Sequence, residues 1–200
     1  MMTPTHLLIA AAVLARPVEA GREPQRSRSW LLYLAVVAGA LVPDFSIYVL
    51  FVWAKFMAGI SSHELWTSTY WQEPWQTYSA IGNSLPLYLA LLILGIFAKW
   101  RWLVLFALAA LLHIGFDLPF HHSDAHKHFW PFTDYRFHSP LSYWNGNHHG
   151  DLVGLFERGI ALFCIVLLWM WFQMLWLRWV LVAAAASNIL VPLYFWWSLS

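Results

Sequence analysis

The chain has 200 residues, of which 60% are hydrophobic and 10% charged, with a mean hydropathy of +0.57. Soluble domains carry roughly 25% charged residues, so there is too little charge here to cover a water-facing surface. A net charge of +1 excludes a general attraction to nucleic acid, and a single cysteine, Cys164, excludes an intrachain disulfide. The expected fold is all-α: a multi-pass transmembrane helical bundle of about five to six apolar segments. Residues 1–200 form one integral-membrane domain whose first partner is the lipid bilayer. Fifteen tryptophans fit the enrichment of Trp at membrane interfaces.

Residues 5–15 (THLLIAAAVLA) form a short apolar segment that carries His6; with no basic stretch ahead of it and Arg16-Pro17 behind, it is not expected to be a cleaved signal peptide. A polar stretch, 16–29, leads into the apolar run Trp30–Phe56, interrupted at Pro43-Asp44. Residues 57–78 read as a Trp-, Thr- and Ser-rich loop. Ser84–Ala98 is apolar and ends at Lys99 and Arg101. The run Trp102–Phe120 holds His113 and Asp117 near its end and opens into a His-rich loop over 121–150. Leu152–Leu177 and Val180–Leu199 are the last two apolar runs.

If each run crosses once, residues 16–29, 99–101 and 178 share one side and carry seven of the eleven Lys and Arg. The positive-inside rule puts that side in the cytoplasm and the His-rich loop outside. The same topology brings His6, Asp44, His113 and Asp117, from three segments, to similar depth below the loop.

Eight of the ten histidines lie between His113 and Gly150, interleaved with Asp117, Asp124 and Asp134. Imidazole and carboxylate are the donors that zinc and manganese accept. An Asp at the centre of a span costs on the order of 3 kcal/mol, so Asp44 has to be paired, metal-bound or in a wet cavity. His113 and Asp117, four apart, share a helix face; a His–Asp bond tying two helices is the plainer reading of that pair. His121 would continue the face, but Pro119 is expected to bend or end the helix first. His122, Asp124, His126 and His128 alternate, which in extended chain puts them on one side. The aromatic residues Trp130, Tyr135, Phe137, Tyr143 and Trp144 read as a packed loop cover, or as a platform for an apolar substrate. His63-Glu64 lacks the second histidine of a zincin helix, and Ser84 lacks a nucleophile elbow.

Several of these stretches resemble a known family. THLLIA at 5–10, GALVPDF at 39–45, NSLPLYLALLILG at 83–95, and His113-x3-Asp117 followed by FWPFTDYRF at 129–137 are similar to the bacterial membrane-bound metal-dependent hydrolases, themselves distantly similar to zinc-dependent phospholipase C. The resemblance implies an inner-membrane location and matches His6, Asp44, His113 and Asp117 to metal-binding positions. Two positions depart from the family's pattern: Ser46 stands where a second acid is common, and Asn83 where a histidine is.

The functional expectation is a membrane metal-dependent hydrolase with its site at the outer face, cleaving phosphoesters of lipid-linked substrates. His6, Asp44, His113 and Asp117 hold a divalent ion, zinc before manganese, with His121 or His122 as a further ligand. Asp124 or His126 serves as general base or acid. The rival readings are a non-catalytic metal-binding membrane protein and, less favoured, a metal transporter. A transporter needs a polar path through both leaflets, and between Ile160 and Leu177 only Gln173 is strongly polar.

Overall fold

The computed structural model describes residues 1–15 and 29–199. The basic stretch with Arg16, Arg22, Arg26 and Arg28 lies outside the described residues. Among the described residues the secondary structure is helical throughout, with α1 Thr3–Leu14, α2 Ser29–Val52, α3 Ser62–Thr67, α4 Trp75–Gly82, α5 Leu85–Phe97, α6 Arg101–Asp117, α7 Gly150–Trp171 and α8 Leu175–Leu199. Three helices are long and apolar enough to cross a membrane, Trp30–Met57, Arg101–Phe120 and Gly150–Trp171. The pair α4 and α5, bent by 41° at Asn83-Ser84, makes a fourth if it is one broken span. With 12 residues, α1 rises about 18 Å and is too short to cross alone.

Residues 57–78, read from sequence as loop, contain α3, a 3-10 turn at Thr69–Trp71 and the start of α4. The signals are local and small. Ser61 Oγ caps α3 by accepting from the Glu64 amide. The Gln76 amide nitrogen donates to the Tyr70 carbonyl at 2.6 Å and ties the turn to α4. Ser84 caps α5 in the same way, accepting from the Leu87 amide ahead of Pro86.

The most extensive helix contact is between α2 and α6. It depends on Gly39, because a Cβ there would overlap the Phe106 carbonyl and crowd Ala109. Small residues at such crossings let backbones approach without relying on hydrophobic exclusion. A few residues on, Pro43 sits inside α2 and cannot supply the N–H that would close the turn on Gly39. Two side chains dock at this turn: Asn83 Nδ2 donates to the Pro43 carbonyl at 3.1 Å, and His113 Nδ1 donates to the Ala40 carbonyl at 2.8 Å. The sequence break at Pro43-Asp44 is thereby converted into a fixed junction of α2, α4 and α6. Helix α1 packs on α2, α6 and α7, which carries His6 to the same level.

Gly39→Ala is expected to cost about 1–3 kcal/mol, the usual range for overpacking. Gly115→Ala, where an added methyl meets nothing, should unfold at or slightly above the wild-type temperature. Thermal unfolding of the detergent-solubilised chain reads both.

Candidate metal centre

At the junction of α1, α2 and α6, four buried side chains meet. His113 and Asp117 face one way because they are one turn apart on α6. His6 Nε2 donates to Asp117 Oδ1 at 3.0 Å, and the His6 and His113 rings stack with centroids 3.7 Å apart. His113 Nε2 lies 3.3 Å from Asp117 Oδ2 and 3.5 Å from Asp44 Oδ1, yet makes a hydrogen bond with neither. Asp44 reaches the group from the proline turn of α2; its Oδ2 accepts from Thr3 Oγ1 at 2.5 Å, which in turn accepts from the Tyr48 hydroxyl at 2.8 Å. The structure thus brings His6, Asp44, His113 and Asp117 together from three segments. The Met1 ammonium also donates to Asp117 Oδ1, at 2.5 Å.

The donor set fits a divalent ion. A carbonyl can only accept, so the bond to Ala40 places a proton on His113 Nδ1 and leaves Nε2 facing the two carboxylates. His6, His113 and Asp117 each offer a donor atom within 4.8 Å of the others, a spacing that one cation can bridge, and Asp44 stands beside them, 3.5 Å from His113 Nε2. His6 Nδ1 is a second buried ring nitrogen without a partner.

Beyond α6 the chain makes a 3-10 turn over Leu118–Phe120 rather than leaving the face, and His121 Nε2 returns to 3.3 Å from Asp117 Oδ1. The α-helix ends before Pro119, as the sequence leads one to expect, and the tighter turn that follows keeps His121 beside Asp117. His121 Nδ1 donates to Asp124 Oδ2 at 2.7 Å, the carboxylate–imidazole pairing that orients a metal-binding histidine. His126 is buried behind it with Nδ1 against Ser79 Oγ at 3.1 Å. Asp117, His121 and His126 form a second group with donor atoms within 4.8 Å of one another, alongside His6, His113 and Asp117. His122 is placed elsewhere: its Nδ1 donates to the Ser139 carbonyl at 2.6 Å and its ring lies with His138 and His148.

Electrostatics in the loop separate the histidines. Burial alone would lower the pKa of His121, but its bonds to Asp117 and Asp124 outweigh that and raise it to about 9. Burial also opposes ionisation of Asp124, and the His121 bond overrides it, holding the carboxyl below its ordinary range. His126 has no such compensation: burial, then the charge on His121, push it down to about 3, so it is neutral at physiological pH.

A cavity of about 520 Å³ stands over this centre. Asp44, Asp117, His121, Asp124 and His126 form its polar end, and Trp66, Tyr70, Trp71 and Trp144 are among its aromatic walls. Sequence reasoning passed over Glu157, an acid in the apolar run of α7 that is buried and accepts from the Met2 amide at 2.6 Å. Its signal was available, since an acid within a span marks a site by default. Thr3 and Ser79 carried no comparable signal. No family model, no curated protein and no solved structure matches this chain.

His113→Ala and Asp117→Ala are expected to remove most bound metal from this centre. Asp44→Asn keeps size but loses charge, and should weaken binding at least roughly tenfold. His63→Ala, exposed and remote, should leave it unchanged. Metal titration of variants that retain wild-type thermal unfolding measures each effect.

Proposed function

We propose that the chain is an integral membrane hydrolase, dependent on a divalent metal, that cleaves phosphoesters of lipid-linked substrates at the outer face of a bacterial inner membrane. The observation that carries this reading is the buried His113 Nε2, aimed at Asp44 and Asp117 without a hydrogen bond to either. The resemblance to membrane-bound metal-dependent hydrolases supports it. So does the open cavity above the centre, since a purely structural ion needs no space beside it.

His6, Asp44, His113 and Asp117 would hold the ion, with His121 and His126 as the loop's contribution; zinc suits this N/O donor set best, and manganese next. Such an ion supplies Lewis acidity to a phosphoester oxygen and lowers the pKa of water. The chain's own residues do the rest. Asp124, with Oδ2 held by His121, has a buried Oδ1 with no partner and lines the cavity, so it is the acceptor for a proton from water. His126, its pKa pushed down to about 3, is neutral and so suited to be a ligand. Among the described residues no lysine or arginine lines the cavity, which leaves the charge of a phosphoester to the metal. The aromatic walls suit the apolar part of an amphipathic substrate.

The topology that goes with this reading has five to six apolar segments, basic loops in the cytoplasm and the His-rich loop outside. One observation favours a second reading, a metal centre without catalysis. Asn83, where the family often has histidine, spends its amide on the Pro43 and Ser79 carbonyls and does not join the centre.

The experiment is a screen of lipid phosphoesters with purified protein. Turnover should vanish on chelation, return with zinc or manganese, and fall about 100-fold or more in Asp124→Asn. Turnover that survives complete metal removal contradicts the proposal; stoichiometric metal with no turnover favours the second reading. For the topology, a cysteine at the exposed Thr133 in a Cys164→Ser background should react with an impermeant label in intact spheroplasts. Reaction only after permeabilisation inverts the orientation.

A further inference from the structure

Resting on the reading of the buried cluster as a metal centre, we propose that it holds two divalent ions bridged by Asp117, and that only the outer one meets the cavity. The donors fall into two groups: His6, His113 and Asp117, and then Asp117, His121 and His126. Within each group the donor atoms lie within 4.8 Å of one another, and Asp117 is the residue that the groups share. Zinc bonds of about 2.0–2.2 Å let one ion span donors up to roughly 4.4 Å apart, and it takes about four of them. With Asp44, 3.5 Å from His113 Nε2, the side chains gathered here are more than one zinc accepts.

The Asp117 carboxylate is approached from two sides. His113 Nε2 lies 3.3 Å from Oδ2, and His121 Nε2 lies 3.3 Å from Oδ1. One histidine stands a turn before Asp117 on α6, and the other returns from the 3-10 turn after it. His6 joins the inner group from the Oδ1 side, at 3.0 Å. A carboxylate so placed can serve two ions, which in two-metal sites stand about 3.5–4 Å apart. On the loop side Oδ1 already takes a cation, because the Met1 ammonium lies 2.5 Å from it and 3.4 Å from His121 Nε2. The outer ion displaces that ammonium.

The cavity distinguishes the two groups. Asp117, His121 and His126 line it, whereas His6 and His113 do not and lie buried beneath. Both loop histidines are held from behind, His121 Nδ1 against Asp124 Oδ2 at 2.7 Å and His126 Nδ1 against Ser79 Oγ at 3.1 Å. The other ring nitrogen of each is left for an ion. Two imidazoles and one carboxylate make three protein ligands, the number that leaves a catalytic zinc one position for water or substrate. The inner ion is sealed among α1, α2 and α6 and ties those helices together; the outer one is the ion that a phosphoester oxygen reaches.

The test uses the untagged full chain in detergent, stripped with a chelator, reloaded with excess Zn²⁺ and desalted. Elemental analysis should find two zinc per chain, and zinc-edge X-ray absorption should show metal–metal scattering at about 3.5–4 Å. His121→Ala and His126→Ala should each retain one zinc and lose that scattering. A short exposure of the wild type to chelator should take the outer ion first and leave the spectrum of His126→Ala. Variants are compared where thermal unfolding matches the wild type, and the wild-type count and scattering stand without them. One zinc in the wild type overturns the second ion and leaves the metal-centre reading intact; none overturns both. A second zinc that persists in both His121→Ala and His126→Ala lies elsewhere on the chain and also overturns the proposal.

Discussion

Asp117 is the constraint on which the rest depends. Its carboxylate is 2% exposed at the last turn of a membrane-length helix, where an unpaired charge costs several kcal/mol and loss of one partner of a buried pair costs about 3–5 kcal/mol. Every neighbouring element contributes something to offset that. Helix α1 brings His6, α6 brings His113 from one turn below, and the loop brings His121 back over the top. Partners drawn from so many segments make the carboxylate the point at which the helices are registered against each other. Asp44, also buried, adds a second negative charge beside it, and the Met1 ammonium, 2.5 Å from Asp117 Oδ1, offsets part of that charge.

The backbone of α2 fixes how the side chains of this cluster are aimed. Around Pro43, α2 offers the Ala40 and Pro43 carbonyls as acceptors, and Gly39 and Gly82 let α6 and α4 come close enough for His113 and Asn83 to donate to them. The side chains that could have collapsed onto the carboxylates are instead tied to backbone or to hydroxyls: His113 to Ala40, Asp44 to Thr3, His126 to Ser79. What remains is a set of aimed donors beneath a cavity with aromatic walls. That combination, buried donors with space beside them, is the geometry on which the proposed function rests.

Much of this was legible in the sequence, for identifiable reasons. Asp44, His113 and Asp117 were readable because ionisable groups in apolar runs have few explanations, and His6 because the topology put it at the same depth. The division of labour in the loop was not readable. Alternation puts His122, Asp124, His126 and His128 on one side only in unbroken extended chain, and a bend and turn over 122–124 break it and change the phase. The 3-10 turn after Asp117 sets that phase: His121 goes in, His122 goes out, Asp124 becomes the partner of His121, and His126 is buried beside it. The short helices in 57–78 escaped notice because their signals are single caps rather than a periodic face. The shortness of the first apolar segment was legible as well, and the described residues contain three membrane-length helices, or four with the bent pair α4 and α5.

The central claim is that the buried His/Asp cluster is a metal centre. X-ray absorption at the zinc K-edge tests it most directly, on protein loaded with one equivalent of zinc. The account predicts only nitrogen and oxygen ligands near 2.0–2.1 Å, imidazole scattering from two or more rings, and loss of that signature in Asp117→Asn. Zinc that does not bind, or that gives the same spectrum with Asp117 replaced, contradicts it.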